Sequence, residues 1–262
     1  MKAHELMERL YALSVRSFDN TCDVLKAGNP DRELKKVAVC CITTADVIKQ
    51  AHEWGADLII THEPIFYDHM EIKLKNDIVT DMKTKLIEDT GMTIYRFHDF
   101  CHGAEPDMIA AGMLKYLGIK GEYISGGQFG VNNFICETPM TAREIALMFE
   151  KNLGVKHVRI CGTADKPCTK VKTCFGTPGG VFEALRSSDT EIVLTGEACE
   201  WMLGEYARDA DMLGITKSLL IIGHMGSERD GMRYCADYIS ENFTEFETKY
   251  FDCGEVYTYT ES

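Results

Sequence analysis

Short runs of consecutive apolar residues alternate along this chain with longer stretches in which apolar positions recur every three or four residues. The first pattern marks strands buried on both faces, and the second marks amphipathic helices. MKAHELMERLYALSVR has the helical spacing and predicts a helix over about residues 2–17. KKVAVCCI (35–42), ADLIIT (56–61) and MTIYRF (92–97) predict three strands. Thr44 is placed to cap the helix ADVIKQAHEW. A helix over 75–90 ends at Gly91, where a left-handed residue is expected, and another over 106–117 ends at Gly118.

Residues 121–136, GEYISGGQFGVNNFIC, are rich in Gly and Asn and read as a hairpin or a lobe boundary. A second alternation follows: helix 141–152, strands 156–161 and 171–175, a helix after Gly179–Gly180, strand 191–195 and helix 198–212. Strand 217–222, helix 227–242 and strand 248–253 close the chain. This succession predicts a layered α/β architecture with mixed, largely parallel sheets.

Composition works mainly by exclusion. At 45% hydrophobic residues, 262 residues can bury a large core, as one α/β unit or as two lobes. A net charge of −13 without any Lys/Arg-rich stripe lacks the footprint of a nucleic-acid binder. No apolar run approaches the roughly 18 residues that cross a bilayer. The N-terminal stretch carries Glu5 and Glu8 within an amphipathic pattern and lacks the uninterrupted apolar segment of a signal peptide. The expectation is a soluble, cytoplasmic protein with neither a nucleic-acid nor a membrane partner. The 11 cysteines are odd in number, scattered and free of any CxxC, so they read as reduced thiols.

Candidate chemistry collects where apolar runs stop. His62 follows ADLIIT, His98 follows MTIYRF, and His224 follows SLLII and Gly223. Carboxyl ends of parallel strands open onto one crevice, which would draw the three histidines together. Glu63 adjoins His62, His102 lies four residues after His98, and Glu228 lies four after His224. Imidazoles and carboxylates in this combination suit a divalent metal. The competing reading of Glu228 is helix stabilisation behind Ser227 as N-cap, worth about 0.3–1 kcal/mol. The preceding histidine, the flanking glycines and the strand end favour ligation. His98-x-x-x-His102 lacks the glutamate of HExxH, so a metalloprotease is not supported. Cys101 has no adjacent base and reads as an inert buried thiol. His4, His52, His69 and His157 read as structural or solvated. GTPGG (176–180) lacks the Gly-Lys-Ser/Thr of a phosphate loop and is a weak anion site.

The segments ADLIITHEPIFY, YRFHDFCHGA, VLTGEACEWM and IIGHMGSERDGM, in this order and at these intervals, carry a resemblance. Over nearly its whole length the chain resembles the NGG-one-interacting-factor-three family of dinuclear-metal proteins, often named GTP cyclohydrolase I type 2. The resemblance implies two-lobed subunits, with lobe I at about 1–122 plus 215–262 and lobe II at about 123–214. It also implies a toroidal homohexamer and two divalent ions per subunit (iron, zinc or manganese). The short 121–140 region leaves no room for the extra domain some members insert. Position by position, Glu63 and His102 would bind one ion and His62 and His224 the other, with Glu228 bridging. His98 would orient a ligand or accept a proton, making His98 and Glu228 the catalytic candidates. Glu197, in the Thr-Gly-Glu motif, would face the cleft.

Two departures fall on ligand positions. The family pattern has His-His where this chain has His62-Glu63, and His-x-x-x-Asp where it has His98-x-x-x-His102. Either the exchanges compensate, keeping three imidazoles and two carboxylates, or the site is degenerate and binds one metal or none. Glu200-Trp201 is a further departure, where relatives look histidine-rich. The implied activity is hydrolysis of a purine nucleotide or another phosphorylated small molecule, in the cyclohydrolase version at the imidazole carbon of guanine. A metallophosphoesterase differs only in the bond attacked. The alternative class is a non-catalytic, metal-binding or metal-delivering hexameric scaffold.

Overall fold

The computed structural model of the protein describes residues 1–70, 74–124 and 128–260. The chain divides into two compact units, Met1–Met108 with Met232–Ser262, and Ile109–Gly231.

In the first unit each long apolar run becomes a strand. The sheet order is Leu25–Ala27, Thr93–Arg96, Leu58–Thr61, Lys36–Cys40, Glu247–Tyr250. The last four run parallel to one another, and Leu25–Ala27 is antiparallel to its neighbour. Every residue of Leu58–Thr61 and Thr93–Arg96 is buried, which is why these segments read as continuous apolar runs instead of alternating ones. Helix Ala45–Trp54 begins at Thr44, whose hydroxyl accepts from the Val47 N–H at 3.1 Å. Helix Ile78–Thr90 begins at Asp77 and stops at Gly91, left-handed at φ 61°. Ile48, Ala51, Ile59, Phe66 and Ile94 form the core between helices and sheet.

The first helix is shorter than expected, Ala3–Tyr11 in place of 2–17. Its end tightens into bonds from Leu13 N–H to Leu10 O and Ser14 N–H to Tyr11 O, after which Val15 N–H bonds to Gly103 O. Backbone pairing with the 103–104 segment replaces the last expected helical turn.

The second unit holds a mixed sheet in the order Gly121–Ile124, Asn132–Met140, Cys168–Cys174, Ile192–Thr195, Ser218–Ile221, Arg159–Gly162. Cys168–Cys174, Ile192–Thr195 and Ser218–Ile221 are parallel, and the remaining pairings are antiparallel. The Gly/Asn-rich segment is a hairpin with Gly121 opposite Cys136, its central residues 125–127 lying outside the described residues. Leu185, Val193, Leu203, Ala207 and Leu219 build the core. The expected helix 198–212 is two pieces, a π-helical turn at Glu200–Gly204 and helix Glu205–Met212.

The chain passes between units after Met108 and after Gly231, away from the expected crossings near 122 and 215. Strand Ser218–Ile221 explains one shift, since it pairs with Ile192–Thr195 on one side and Arg159–Gly162 on the other. On the other crossing, the Asn152 side-chain amide donates to Leu117 O at 2.8 Å, tying helix Met108–Leu117 to the second unit.

Candidate metal centre

In the first unit, strand ends place three imidazoles side by side. The N–H groups of His62 and Glu63 both donate to Cys41 O, at 3.0 and 2.7 Å, just past the neighbouring strand. Phe97 N–H donates to Thr61 O at 2.9 Å, which brings His98 level with His62. The short helix Asp99–His102 then turns His102 back over the same spot. Asp23 fixes that turn: its carboxylate accepts from the His98 N–H at 2.7 Å and the Phe100 N–H at 2.9 Å. The rings of His62 and His98 stack with centroids 4.6 Å apart, and His102 meets them edge-on at 5.0 and 5.1 Å. One donor nitrogen from each lies within 4.8 Å of the others.

Each ring is held from behind by an oxygen. His62 Nδ1 lies 3.0 Å from Phe97 O, His98 Nδ1 lies 3.0 Å from Asp99 Oδ1, and His102 Nδ1 lies 2.9 Å from Asp107 Oδ2. An oxygen acceptor at Nδ1 places the proton there and leaves Nε2 as the lone-pair nitrogen, the pattern of metal-binding histidines. Burial, then the neighbouring His62, holds the His98 imidazole down to about 4, so the ring is neutral. Burial works against ionisation of Asp99, yet hydrogen bonds from His98, Thr21 and the Cys22 N–H keep its carboxyl below the usual range.

Behind this cluster lies Arg96, fully buried. Its Nε donates to His62 O at 2.9 Å and its Nη1 to His69 O at 2.6 Å. Its Nη2 is 3.4 Å from His69 Nδ1 and 3.8 Å from Glu63 Oε2. A donor oxygen of Glu63 also lies within 4.8 Å of a His62 nitrogen. His69, read from sequence as structural or solvated, is exposed and also meets the His98 ring edge-on at 5.4 Å. Asp23, Asp107 and Arg96 went unrecognised in the sequence as supports of the site. The one available signal was a guanidinium ending the apolar run MTIYR, since a buried charge needs partners.

The second unit presents His224 and Glu228. His224 follows strand Ser218–Ile221 at the start of a 3₁₀ turn, Met225–Ser227. Its Nδ1 faces Glu197 Oε1 at 3.0 Å and the Thr177 hydroxyl at 3.2 Å, and its Nε2 faces Glu228 Oε2 at 3.3 Å. Ser227 is not the N-cap expected of it. Its hydroxyl accepts from the Gly176 N–H at 2.9 Å and donates to His224 O at 2.8 Å, and the following helix starts at Arg229. Gly176, the first glycine of GTPGG, has φ +66°, and a Cβ there would collide with Glu228 Oε1. That glycine admits a carboxylate from its own unit, so its role is close approach and not an anion cradle.

His62, Glu63, His98 and His102 thus gather within the first unit, and His224, Glu228 and Glu197 within the second. In the first unit, imidazoles backed by an oxygen at Nδ1, and in the second, an imidazole flanked by carboxylates, are each nitrogen-and-oxygen donors of the kind a divalent transition metal takes.

Fold and donor set together define a two-sheet α/β protein with candidate metal-binding histidines at its strand ends. The chain belongs to the Duf34/NIF3 (NGG1p interacting factor 3) family, whose profile matches residues 1–254. It is 24% identical to the GTP cyclohydrolase 1 type 2 homolog of Clostridium perfringens, over 80% of this chain and 79% of that protein. A protein of the same name from Halobacterium salinarum is 23% identical, over 82% and 83% of the two chains. Among solved structures, protein ybgI, of unknown function, superposes with a TM-score of 0.79 at 22% identity, covering 97% of this chain and 99% of that one. A hypothetical protein of Staphylococcus aureus gives 0.77 at 16% identity, covering 99% of each. Reduced HcgD from Methanocaldococcus jannaschii gives 0.73 at 16% identity, covering 97% and 98%. At these identities the structural likeness establishes the fold alone. Among the described residues, no helix is long and apolar enough to cross a membrane.

Proposed function

We propose that this chain is a divalent-metal-dependent hydrolase acting on a nucleotide or another phosphorylated small molecule. His62, Glu63, His102, His224 and Glu228 would hold two ions (iron, zinc or manganese), with His98 and Glu228 at the reacting groups. One observation carries the reading: in the first unit, each of three clustered imidazoles is tied at Nδ1 to an oxygen, an arrangement in which Nε2 would serve a cation. Bound cations would supply withdrawal of charge from water and from the bond it attacks.

The remaining roles belong to side chains. Glu197 orients the His224 ring from Nδ1. Glu228, only 2% exposed beside His224 Nε2, brings negative charge to the ligand set. The ring contacts of His98 with both His62 and His102 support a third role for it, as an additional nitrogen donor. The name carried by the clostridial and halobacterial relatives supports a purine nucleotide, GTP, as substrate. A net charge of −13 argues against nucleic acid as partner. A homohexamer in the cytoplasm completes the reading.

A scaffold or carrier that binds metal without turnover is the second reading. Its support is the burial of His62 and of the His102 side chain, 0% and 7% exposed, because a site closed by protein donors retains a cation better than it activates water.

Elemental analysis of purified protein beside Glu228→Ala tests the proposal. The wild type is expected to hold about two metals per subunit and the variant far fewer. Equal, negligible metal in both removes the hydrolase reading. Incubation with GTP, followed by mass spectrometry for ring-opened products, separates hydrolase from carrier, and light scattering checks the hexamer.

A further inference from the structure

Within the second unit lies a cavity of about 400 Å³, lined in part by Val181, Phe182, Met202 and Leu203. Helix Val181–Arg186 supplies the first two of these residues and the π-helical turn Glu200–Gly204 the others. Phe182 meets Tyr206 edge-on at 5.3 Å between ring centroids, a contact that favours this placement of its ring. The volume falls in the range of small-molecule sites, which are mostly apolar with a few placed polar groups.

Two of the lining polar residues are Thr177 and Glu197, the same pair that faces His224 Nδ1 at 3.2 and 3.0 Å. Cavity and imidazole therefore share their polar wall. Among the described residues lining it there is no lysine, arginine or histidine, and the one charged group is the Glu197 carboxylate. A phosphoryl group here would lose its water to apolar side chains and face a like charge. Pro178 has no N–H to offer it. A carboxylate has room for several donors, and that of Glu197, 53% exposed, can serve N–H groups on a ring edge as well as His224.

We propose that this cavity binds the ring portion of the substrate: a planar, neutral or cationic nitrogen heteroaromatic whose N–H donors meet Glu197, with any anionic portion left outside. The inference rests on the hydrolase reading and names which end of the substrate the second unit recognises.

Cys199 lines the cavity and is partly exposed, which makes it a reporter. Full-length protein is treated with iodoacetamide, and modification of Cys199 is followed by peptide mass spectrometry, with partly exposed Cys253 as internal control. The probes are 2-aminobenzimidazole, which is planar with a donor edge, benzoate, which is planar and anionic, and inorganic phosphate. At about four times its dissociation constant 2-aminobenzimidazole should slow Cys199 labelling about fivefold, by mass action. Benzoate and phosphate should leave the rate unchanged, and Cys253 should not respond to any probe. Glu197→Ala should abolish the protection, and Ala198→Phe, which fills the cavity, should slow labelling without any ligand.

Equal or better protection by benzoate or phosphate overturns the proposal, as does a Cys199 rate that no probe changes. Metal content measured on the same preparation keeps the two readings apart. Bound metal without protection overturns the cavity assignment alone. Protection without metal supports ring binding and removes the hydrolase reading.

Discussion

In the first unit the candidate ligands are mostly nitrogen, packed ring against ring and each gripped from behind by an oxygen. In the second, one imidazole, a quarter exposed, stands between two carboxylates, of which Glu197 lines a cavity. The difference lies in what holds each ring. The packed rings of the first unit sit among ionic groups, buried or half-buried, that are each partnered: Asp99 and Asp107 face ring nitrogens, Asp23 takes two backbone N–H groups, and Arg96 donates to the carbonyls of His62 and His69. Carboxylates bring the charge that draws a cation, and each needs a neighbour that tolerates it, here His224 and the bare Gly176. Nitrogen donors are thus concentrated in the first unit, while the second sets a single imidazole between two carboxylates, one of which lines a cavity.

The largest expected effect comes from removing a ring. His62→Ala should cost about 100-fold or more in zinc affinity, at or beyond the upper end of what losing an outer partner costs. A competition titration that finds unchanged affinity would break the contrast at its root. Next come the groups behind the rings. Asp107→Asn should lower affinity by about 10–100-fold. If Glu197→Gln leaves affinity alone while Asp107→Asn does not, His224 is held for substrate and the two regions differ more sharply than drawn here.

A glycine pair tests the crowding of the second unit. Gly91 and Gly176 have similar backbone angles, φ +61° and +66°, but a Cβ at Gly91 meets open space and one at Gly176 strikes Glu228. Gly91→Ala should cost about 1–2 kcal/mol from backbone strain alone. Gly176→Ala should exceed it by about 1–3 kcal/mol and also weaken metal binding, as thermal melts with and without added zinc would reveal. Equal losses would mean that Glu228 has room to move aside. The smallest effect serves as a control. Thr44→Ala and Thr141→Ala each remove a helix cap, one per unit, and should cost about 1 kcal/mol with metal affinity untouched.

Much of the fold was legible because parallel strands buried on both faces write themselves as unbroken apolar runs. Thr44 and Gly91 marked helix ends through local chemistry that tertiary contacts did not overrule. Leu25–Ala27 escaped notice: three half-buried residues around Lys26 show no period. The crossing expected near 215 could not be set from local sequence, since the pairing of Ser218–Ile221 is settled by distant strands, not by its own residues. At the site, a histidine after a strand was a readable sign. What lay behind each ring was not, because Asp23, Asp107 and Arg96 acquire meaning only through hydrogen bonds formed on folding. Ser227 shows the limit most clearly. A local rule made it a cap, and a bond from Gly176, 51 residues away in sequence, claimed its hydroxyl instead.

That hydroxyl has a mechanical consequence. By clasping the Gly176 amide on one side and the His224 carbonyl on the other, it welds the loop leading into Thr177 to the loop that aims the imidazole. A guest pressing on Thr177 would push on the ring through a rigid strut two hydrogen bonds long. Replace the serine with alanine, and every donor atom survives while the two loops lose their common hinge pin.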